Sequence, residues 1–172
     1  MNIVIRRATE GDAVVLSRMA LKIFLDTFAA QNKAEDIEMH AALSYSPEIQ
    51  CAEVRDLSKV WLIAEVDGEP AGFAMVGEPG SESCRAFESP VELFRFYIDK
   101  EWHGRGVARP MMDAVDDIAR TLGGRTLCLG VWEHNLRAIR FYQKSGFNDA
   151  GSQPYLLGTD LQTDRVMVRS LG

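Results

Sequence analysis

The stretch Glu101-Trp-His-Gly-Arg-Gly-Val-Ala-Arg109 decides how this 172-residue chain is interpreted. It follows an apolar run from Val91 to Ile98 and leads into a helical pattern, so the sequence predicts a strand, a glycine turn and a helix start in succession. Gly104 and Gly106 let the backbone come close to an anion, and the first N–H groups of a helix have no partners within it. The stretch therefore predicts a phosphate-binding turn.

Length and composition indicate one globular domain spanning residues 1–172 with a single core. No apolar run approaches the roughly 20 residues that a membrane span needs, and no secretion signal is visible at the N-terminus, so we expect a cytoplasmic protein without a membrane partner. The net charge of −6 argues against a nucleic-acid partner.

The charge is unevenly distributed along the chain. Residues 1–92 carry 8 Lys or Arg against 16 Asp or Glu, whereas residues 93–172 carry 11 against 9. This division is what an anion site in the second half and a cation-attracting surface in the first half would produce, and a solvated acidic surface is the alternative.

The cysteines and histidines predict neither bridges nor a metal site. Cys51, Cys84 and Cys128 are odd in number, widely spaced and without a CxxC pair, which favours free thiols in a reducing compartment. The three histidines are scattered without the spacing of metal ligands, so no metal is expected.

Hydrophobic periodicity predicts the element order βααα-ββ-βαβα-ββ, an α/β fold with one mixed central sheet. Strands are expected at 3–5, 60–66, 71–76, 91–98, 126–131, 147–157 and 165–168. Helices are expected at 9–30, at 32–44, from 46, from the glycine turn to about 122 and at 135–145, with a loop at 77–90. In the second helix, Ile37 and Leu43 are the expected core contacts.

A second informative stretch, residues 131–147, contains Asn135-x-x-Ala-x-x-Phe-Tyr142-x-x-x-Gly-Phe147. Together with the glycine turn about 30 residues upstream, it resembles the acetyl-CoA signature of the GCN5-related N-acetyltransferases (GNAT family). His103 departs from the Gln or Arg that usually begins the family's turn. A dinucleotide-binding GxGxxG or a Walker turn fits neither stretch. The resemblance implies a mixed sheet of about six to seven strands flanked by helices on both faces, an acetyl-CoA-binding core at about 91–147, and acetyl-CoA as cosubstrate.

The resemblance also implies roles for individual residues. The N–H groups of Phe96 and Ile98, on a bulged fourth strand, hold the pantetheine arm, and Phe96 polarises the acetyl carbonyl. Tyr142 is the general acid that protonates the departing thiolate, with a tyrosine packed in the core as the alternative. Asn135 bonds the pantetheine or caps its helix. The full set implied to bind acetyl-CoA is Phe96, Tyr97, Ile98, His103, Gly104, Arg105, Gly106, Val107, Ala108, Arg109 and Asn135.

Acidic residues are the candidates for binding the acceptor and for removing its proton. Glu92 coincides with the glutamate that histone acetyltransferases of this superfamily use as a base, and a solvated glutamate at a strand start is the alternative. Asp26, Glu35 and Asp36 suit a substrate cation, although ordinary exposed helix charges explain them as well.

A narrower resemblance concerns the acceptor. Asp26-Thr-Phe28-Ala, Glu35-Asp36-Ile37, the stretch 157–164 and Val166-Met167-Val168 look like bacterial spermidine/spermine N-acetyltransferases of the PaiA type. This implies a small-molecule amine acceptor such as a polyamine, while a protein or peptide N-acetyltransferase and a non-catalytic acyl-CoA-binding module are the alternatives. We expect the acceptor end to be built from residues 9–56 and the loop at 77–90. The oligomeric state stays open, a homodimer included.

Overall fold

One seven-stranded sheet organises the chain in the computed structural model, which describes residues 1–172. The strand order is β1-β2-β3-β4-β5-β7-β6, and every neighbouring pair is antiparallel except β4 and β5. The predicted α/β class and mixed sheet are confirmed. The strands are β1 (Ile3–Arg7), β2 (Lys59–Val66), β3 (Glu69–Gly77), β4 (Pro90–Ile98), β5 (Thr126–Trp132), β6 (Asn148–Leu157) and β7 (Asp160–Ser170).

Helices cover both faces of this sheet, as predicted. They are α1 (Ala13–Phe28), α2 (Ala34–Ser44), α3 (Pro47–Arg55), α4 (Glu82–Arg85), α5 (Ala108–Thr121) and α6 (Leu136–Lys144). The apolar stripe of α5, with Met111 and Val115 fully buried, packs with α6 on one face in a cluster of 20 buried residues. Leu16 and Ile23 of α1 pack against Trp61 and Phe73 on the other face.

The helices differ from the sequence-based bounds mainly at their ends. Helix α1 is shorter than predicted because 3-10 turns at Glu10–Asp12 and Ala29–Gln31 flank it. In α2, Ile37 is buried as expected, but the prediction for Leu43 is wrong: this side chain is 74% exposed, because it points away from the helix face that meets α1 and β6. None of the helices combines the length and the apolar character required to cross a membrane.

The predicted loop at 77–90 contains the short helix α4, and this helix overturns the prediction of free thiols. Cys84 in α4 and Cys128 in β5 form a disulfide bond across 44 residues, with their Cα atoms 5.6 Å apart. Helix α4 lies over the start of β4 and β5, which brings two cysteines far apart in sequence within bonding range. Only Cys51 is a free thiol.

Candidate active site

A cavity opens where β4 and β5 separate. The two strands pair in parallel only from Pro90 to Glu92, opposite Thr126 to Cys128. Beyond that point they diverge, and a cavity of about 830 Å³ extends from the glycine turn, between the two strands, to α1 and the β6–β7 hairpin. We call the part lined by residues 96–109 and 135–142 the turn end, and the opposite part, lined by Phe24, Phe28, His40, Tyr45, Trp132 and Tyr155, the aromatic end.

At the turn end, β4 presents free backbone groups to the cavity. The pairing of β3 with β4 skips Phe94, which is the bulge that the resemblance implied. The Asp99 N–H donates to the Ala71 carbonyl at 2.8 Å, on the β3 side. Because backbone groups alternate along an antiparallel strand, the N–H groups of Phe96 and Ile98 point the other way, toward the gap that β5 leaves.

Tyr97 takes a different position from its two neighbours. It is paired with Phe73 in the β3–β4 ladder, so its N–H belongs to the β3 side. Its ring packs 5.5 Å from the Phe73 ring and lines the cavity. Tyr97 therefore offers the cavity a side chain and not a backbone donor.

The glycine turn has the geometry expected of an anion site. Gly104 and Gly106 have φ values of 74° and 84°, in the left-handed region that favours glycine. A Cβ at either position would meet no protein atom within 4 Å, so the space beside the turn is open. Val107 precedes the first residue of α5, Ala108, and the unpartnered N–H groups of this helix start face the cavity together with Arg109. Arg105 lies outside the cavity lining, with its guanidinium over the Trp102 ring.

His103 fastens this turn to the strand before it. Its Nε2–H donates to the Ile98 carbonyl at 2.7 Å, and its Nδ1 faces the Arg137 guanidinium. Burial lowers the pKa of His103, and the positive charge of Arg137 adds to this shift. Arg137 lines the cavity and was missed in the sequence, although its place in the first turn of α6, two residues after Asn135, is a usable signal.

Helix α6 carries the other two residues predicted for this end. Tyr142 is 7% exposed, and its ring packs edge-on against Phe147 and Phe96 while lining the cavity. Burial raises the pKa of Tyr142, so its phenol stays protonated. Asn135 caps α6 by accepting a hydrogen bond from the Ala138 N–H at 3.2 Å, and it also lines the cavity.

Glu92 lies apart from these groups. Its Oε2 accepts hydrogen bonds from the N–H groups of Gly80 at 2.7 Å and Ser81 at 3.0 Å, beneath the segment that carries α4. It is 7% exposed and absent from the cavity lining. Its role as a base stays a prediction, and this position counts against it. No residue of the predicted loop at 77–90 lines the cavity, so the expectation that this loop builds the acceptor end is wrong.

The three acidic residues of the first helices that were candidates for binding a cation have different environments. Asp26 lines the cavity but is paired with Lys100 at 2.9 Å and Lys22 at 3.6 Å. Asp36 is buried and accepts hydrogen bonds at 2.7 Å from the N–H and the hydroxyl of Thr159, which ties α2 to the β6–β7 turn. Glu35 is exposed at the surface.

The β6–β7 hairpin closes the aromatic end, and this contribution was missed in the sequence. Tyr155, Leu157, Gln162 and Asp164 all line the cavity. Asp164 is a buried carboxylate in this lining, and burial raises its pKa to about 6. In the sequence, the stretch 157–164 is informative only through its resemblance to other proteins. Its residues come to line the cavity because β6 and β7 pair beside β5, and the sequence does not show this pairing.

Comparisons with known proteins agree with this geometry. The model of the Acetyltransferase (GNAT) family matches residues 19–147. An uncharacterized N-acetyltransferase of Lactobacillus delbrueckii subsp. lactis is 26% identical over 165 residues, which cover 96% of this chain and 95% of the relative. The spermine/spermidine N(1)-acetyltransferase of Bacillus subtilis is 26% identical over 158 residues, 88% of this chain and 100% of that protein.

The fold has a close counterpart among solved structures. The PaiA N-acetyltransferase of Thermoplasma acidophilum in complex with coenzyme A superposes with a TM-score of 0.81 at 23% identity, covering 99% of both chains. The matched family region includes both the glycine turn and the α6 segment that line the turn end. The chain therefore belongs to the GNAT family of N-acetyltransferases.

Proposed function

We propose that this enzyme transfers the acetyl group of acetyl-CoA to a small primary amine, with polyamines such as spermidine and spermine as the first acceptors to test. The observation that carries the proposal is that the glycine turn, the free edge of β4 and an aromatic end with a carboxylate line one and the same cavity. The resemblance to a spermine/spermidine acetyltransferase supports a cationic acceptor.

The turn end suits a nucleotide thioester in its shape and in its donors. The space beside Gly104 and Gly106 is open, and the N–H groups at the start of α5 suit a pyrophosphate. Arg109 and Arg137 add positive charge along the same lining. The N–H groups of Phe96 and Ile98 suit the amide groups of the pantetheine arm.

Acetyl-CoA supplies an acetyl group activated as a thioester. The Phe96 N–H donates to the acetyl carbonyl oxygen, where negative charge develops as the amine nitrogen attacks. Tyr142 holds its proton because burial raises its pKa, and it gives this proton to the sulfur as the C–S bond breaks. Asn135 holds the start of α6, and therefore Tyr142, beside the separated strands.

Thiol release on mixing the protein with acetyl-CoA and an amine tests the proposal. The panel should contain spermidine, spermine, a monoamine with an aromatic side group and a peptide with a free N-terminus. We expect turnover of the small primary amines, with spermidine and spermine as the first candidates. Turnover of the peptide alone would identify a peptide N-acetyltransferase, and coenzyme A binding without turnover of any acceptor would identify a binding module.

A further inference from the structure

Asp164 is a buried carboxylate without a protein partner in the lining of the cavity. It lies in β7 and is 9% exposed, and it forms no hydrogen bond or ion pair with another residue. Buried charges are ordinarily paired, because removing an ion from water is costly. A carboxylate kept unpaired at the wall of a cavity is therefore suited to a partner that arrives with the substrate.

The register of the sheet directs this carboxylate toward the cavity. Asp164 is paired with Trp132 of β5, so both side chains lie on the same face, and Trp132 lines the cavity with its ring 5.8 Å from that of Phe28. Gly130 has no side chain, and the space above it holds the Gln153 amide and the Asp164 carboxylate: a Cβ there would lie 2.6 Å from Gln153 Nε2 and 3.3 Å from Asp164 Oδ2. The carboxylate thus lies over β5 at Gly130, beyond the point where the β4–β5 pairing ends.

The groups around Asp164 are neutral or negative. Glu133, directly after β5, and the phenols of Tyr97 in β4 and Tyr155 in β6 lie near enough to interact electrostatically with the carboxylate, and the Gln153 amide is its neutral neighbour over Gly130. Arg95 also lines the cavity, but it is engaged by Glu53 at 3.0 Å. Burial is the main cause that raises the pKa of Asp164 to about 6, and the negative charge of Glu133 adds to it. The carboxylate is therefore largely ionised at neutral pH and basic enough to accept a proton.

We propose that Asp164 binds the ammonium group of the acceptor and takes its proton before attack, an inference that rests on the proposed acetyl transfer. The aromatic rings of Trp132, Phe28 and Tyr155 complete the site, since their faces attract a cation and accommodate the carbon chain beside it. The site accepts one ammonium group at the carboxylate, and the remainder of the acceptor extends along the aromatic end.

The ammonium gives one proton to the Asp164 carboxylate, which later releases it to solvent. The neutral nitrogen then forms a bond to the acetyl carbon, and the C–S bond breaks. The sulfur takes the hydroxyl proton of Tyr142, and the surplus proton on the new amide nitrogen restores that hydroxyl. The products are the N-acetyl amine, coenzyme A as a thiol and one proton.

The test compares Asp164→Asn with the unchanged enzyme, using acetyl-CoA and the best amine of the panel. We expect kcat/KM for the amine to fall about 10²- to 10⁴-fold, because binding and proton abstraction are both lost, while the Kd for coenzyme A measured by calorimetry stays the same. The kcat/KM of the unchanged enzyme should rise with pH through an apparent pKa near 6, and this rise should be absent in Asp164→Asn.

Three further variants keep the result interpretable. Asp164→Glu retains a carboxylate and should recover part of the activity. Glu133→Gln removes the neighbouring negative charge and should move the pH midpoint downward. Asp117→Asn removes an aspartate from the exposed face of α5 and should leave kcat/KM unchanged.

The two proposals fail in different ways. If the unchanged enzyme acetylates an amine and Asp164→Asn does so with equal kcat/KM and an equal pH profile, the role of Asp164 is overturned and the proposed function stands. If the unchanged enzyme binds coenzyme A and acetylates nothing in the panel, the proposed function is overturned and the role of Asp164 falls with it.

Discussion

The two ends of the cavity are built in different ways. The turn end uses backbone groups from two short stretches, 96–109 and 135–142, in which the residue types themselves impose the geometry. The aromatic end uses side chains from α1, α2, the α2–α3 junction, β5, β6 and β7, so that Phe24 and Asp164, 140 positions apart in the chain, line the same cavity. A substitution at the turn end should therefore affect use of the donor whatever the acceptor, whereas one at the aromatic end should affect only the acceptor.

At the turn end, the largest effect should come from Tyr142→Phe. The ring stays packed against Phe96 and Phe147, but the proton for the sulfur is lost, so kcat should fall by about 10- to 10³-fold with an unchanged Kd for coenzyme A. Steady-state thiol release and calorimetry measure the two quantities. An unchanged kcat would mean that Tyr142 is a core tyrosine and that the turn end only binds.

Gly106→Val should have the next-largest effect at the turn end. A β-branched residue at a φ of 84° costs roughly 1–3 kcal/mol in strain and blocks the approach of the phosphates, so the Kd for coenzyme A should rise about 10- to 100-fold. Gly68→Val is the matched control, since Gly68 has a φ of 88° in the β2–β3 turn, away from the cavity. Equal weakening of coenzyme A binding by both variants would show that the effect is global instability.

Glu92→Gln should separate a structural carboxylate from a catalytic one. The charge-assisted hydrogen bonds from Gly80 and Ser81 weaken, so we expect a loss of about 1–3 kcal/mol in the free energy of unfolding, measured by urea denaturation. The kcat/KM should change less than about 3-fold, because the side chain does not reach the cavity. A loss of 100-fold or more would make Glu92 the base and contradict the assignment to Asp164.

The smallest expected effect is the contribution of Asp164, at the aromatic end, to the pH dependence of the free energy of unfolding. The pKa of Asp164 is raised to about 6 in the folded protein, above the ordinary aspartate value of 3.8, so the folded state binds more protons than the unfolded chain between these values. The contribution of Asp164 to stability is therefore greatest below about pH 4 and declines as the pH rises through 6.

Asp164→Asn consequently should stabilise the protein at pH 7 by about 1–2 kcal/mol, allowing for solvent screening on the cavity side, because a buried ionised group is removed. The gain should vanish near pH 4. Thermal unfolding of both proteins from pH 4 to pH 7.5 measures it. A destabilised variant at pH 7 would mean that the carboxylate stabilises the fold and is not left unpaired for binding a substrate.

The sequence predicted the turn end in detail because its constraints are local. Gly104 and Gly106 are needed where the backbone turns left-handed, and a strand before them and a helix after them follow from periodicity alone. The family resemblance, and no local pattern, indicated that Phe96 and Ile98 present their N–H groups on one edge of a bulged β4. What escaped was Arg137, whose charge reaches the turn only because α6 docks against His103.

The sequence alone determined the α/β class, the order of the strands and longer helices, and the strand–glycine turn–helix unit, because each depends on backbone conformations that neighbouring residues dictate. Only the tertiary structure decided that Cys84 bonds to Cys128, that Glu92 is covered by the segment that carries α4, and that Asp164 pairs with Trp132 in the lining of the cavity. These outcomes depend on which strands and helices become neighbours, and a side chain acquires its solvent exposure, its partners and its pKa from those neighbours.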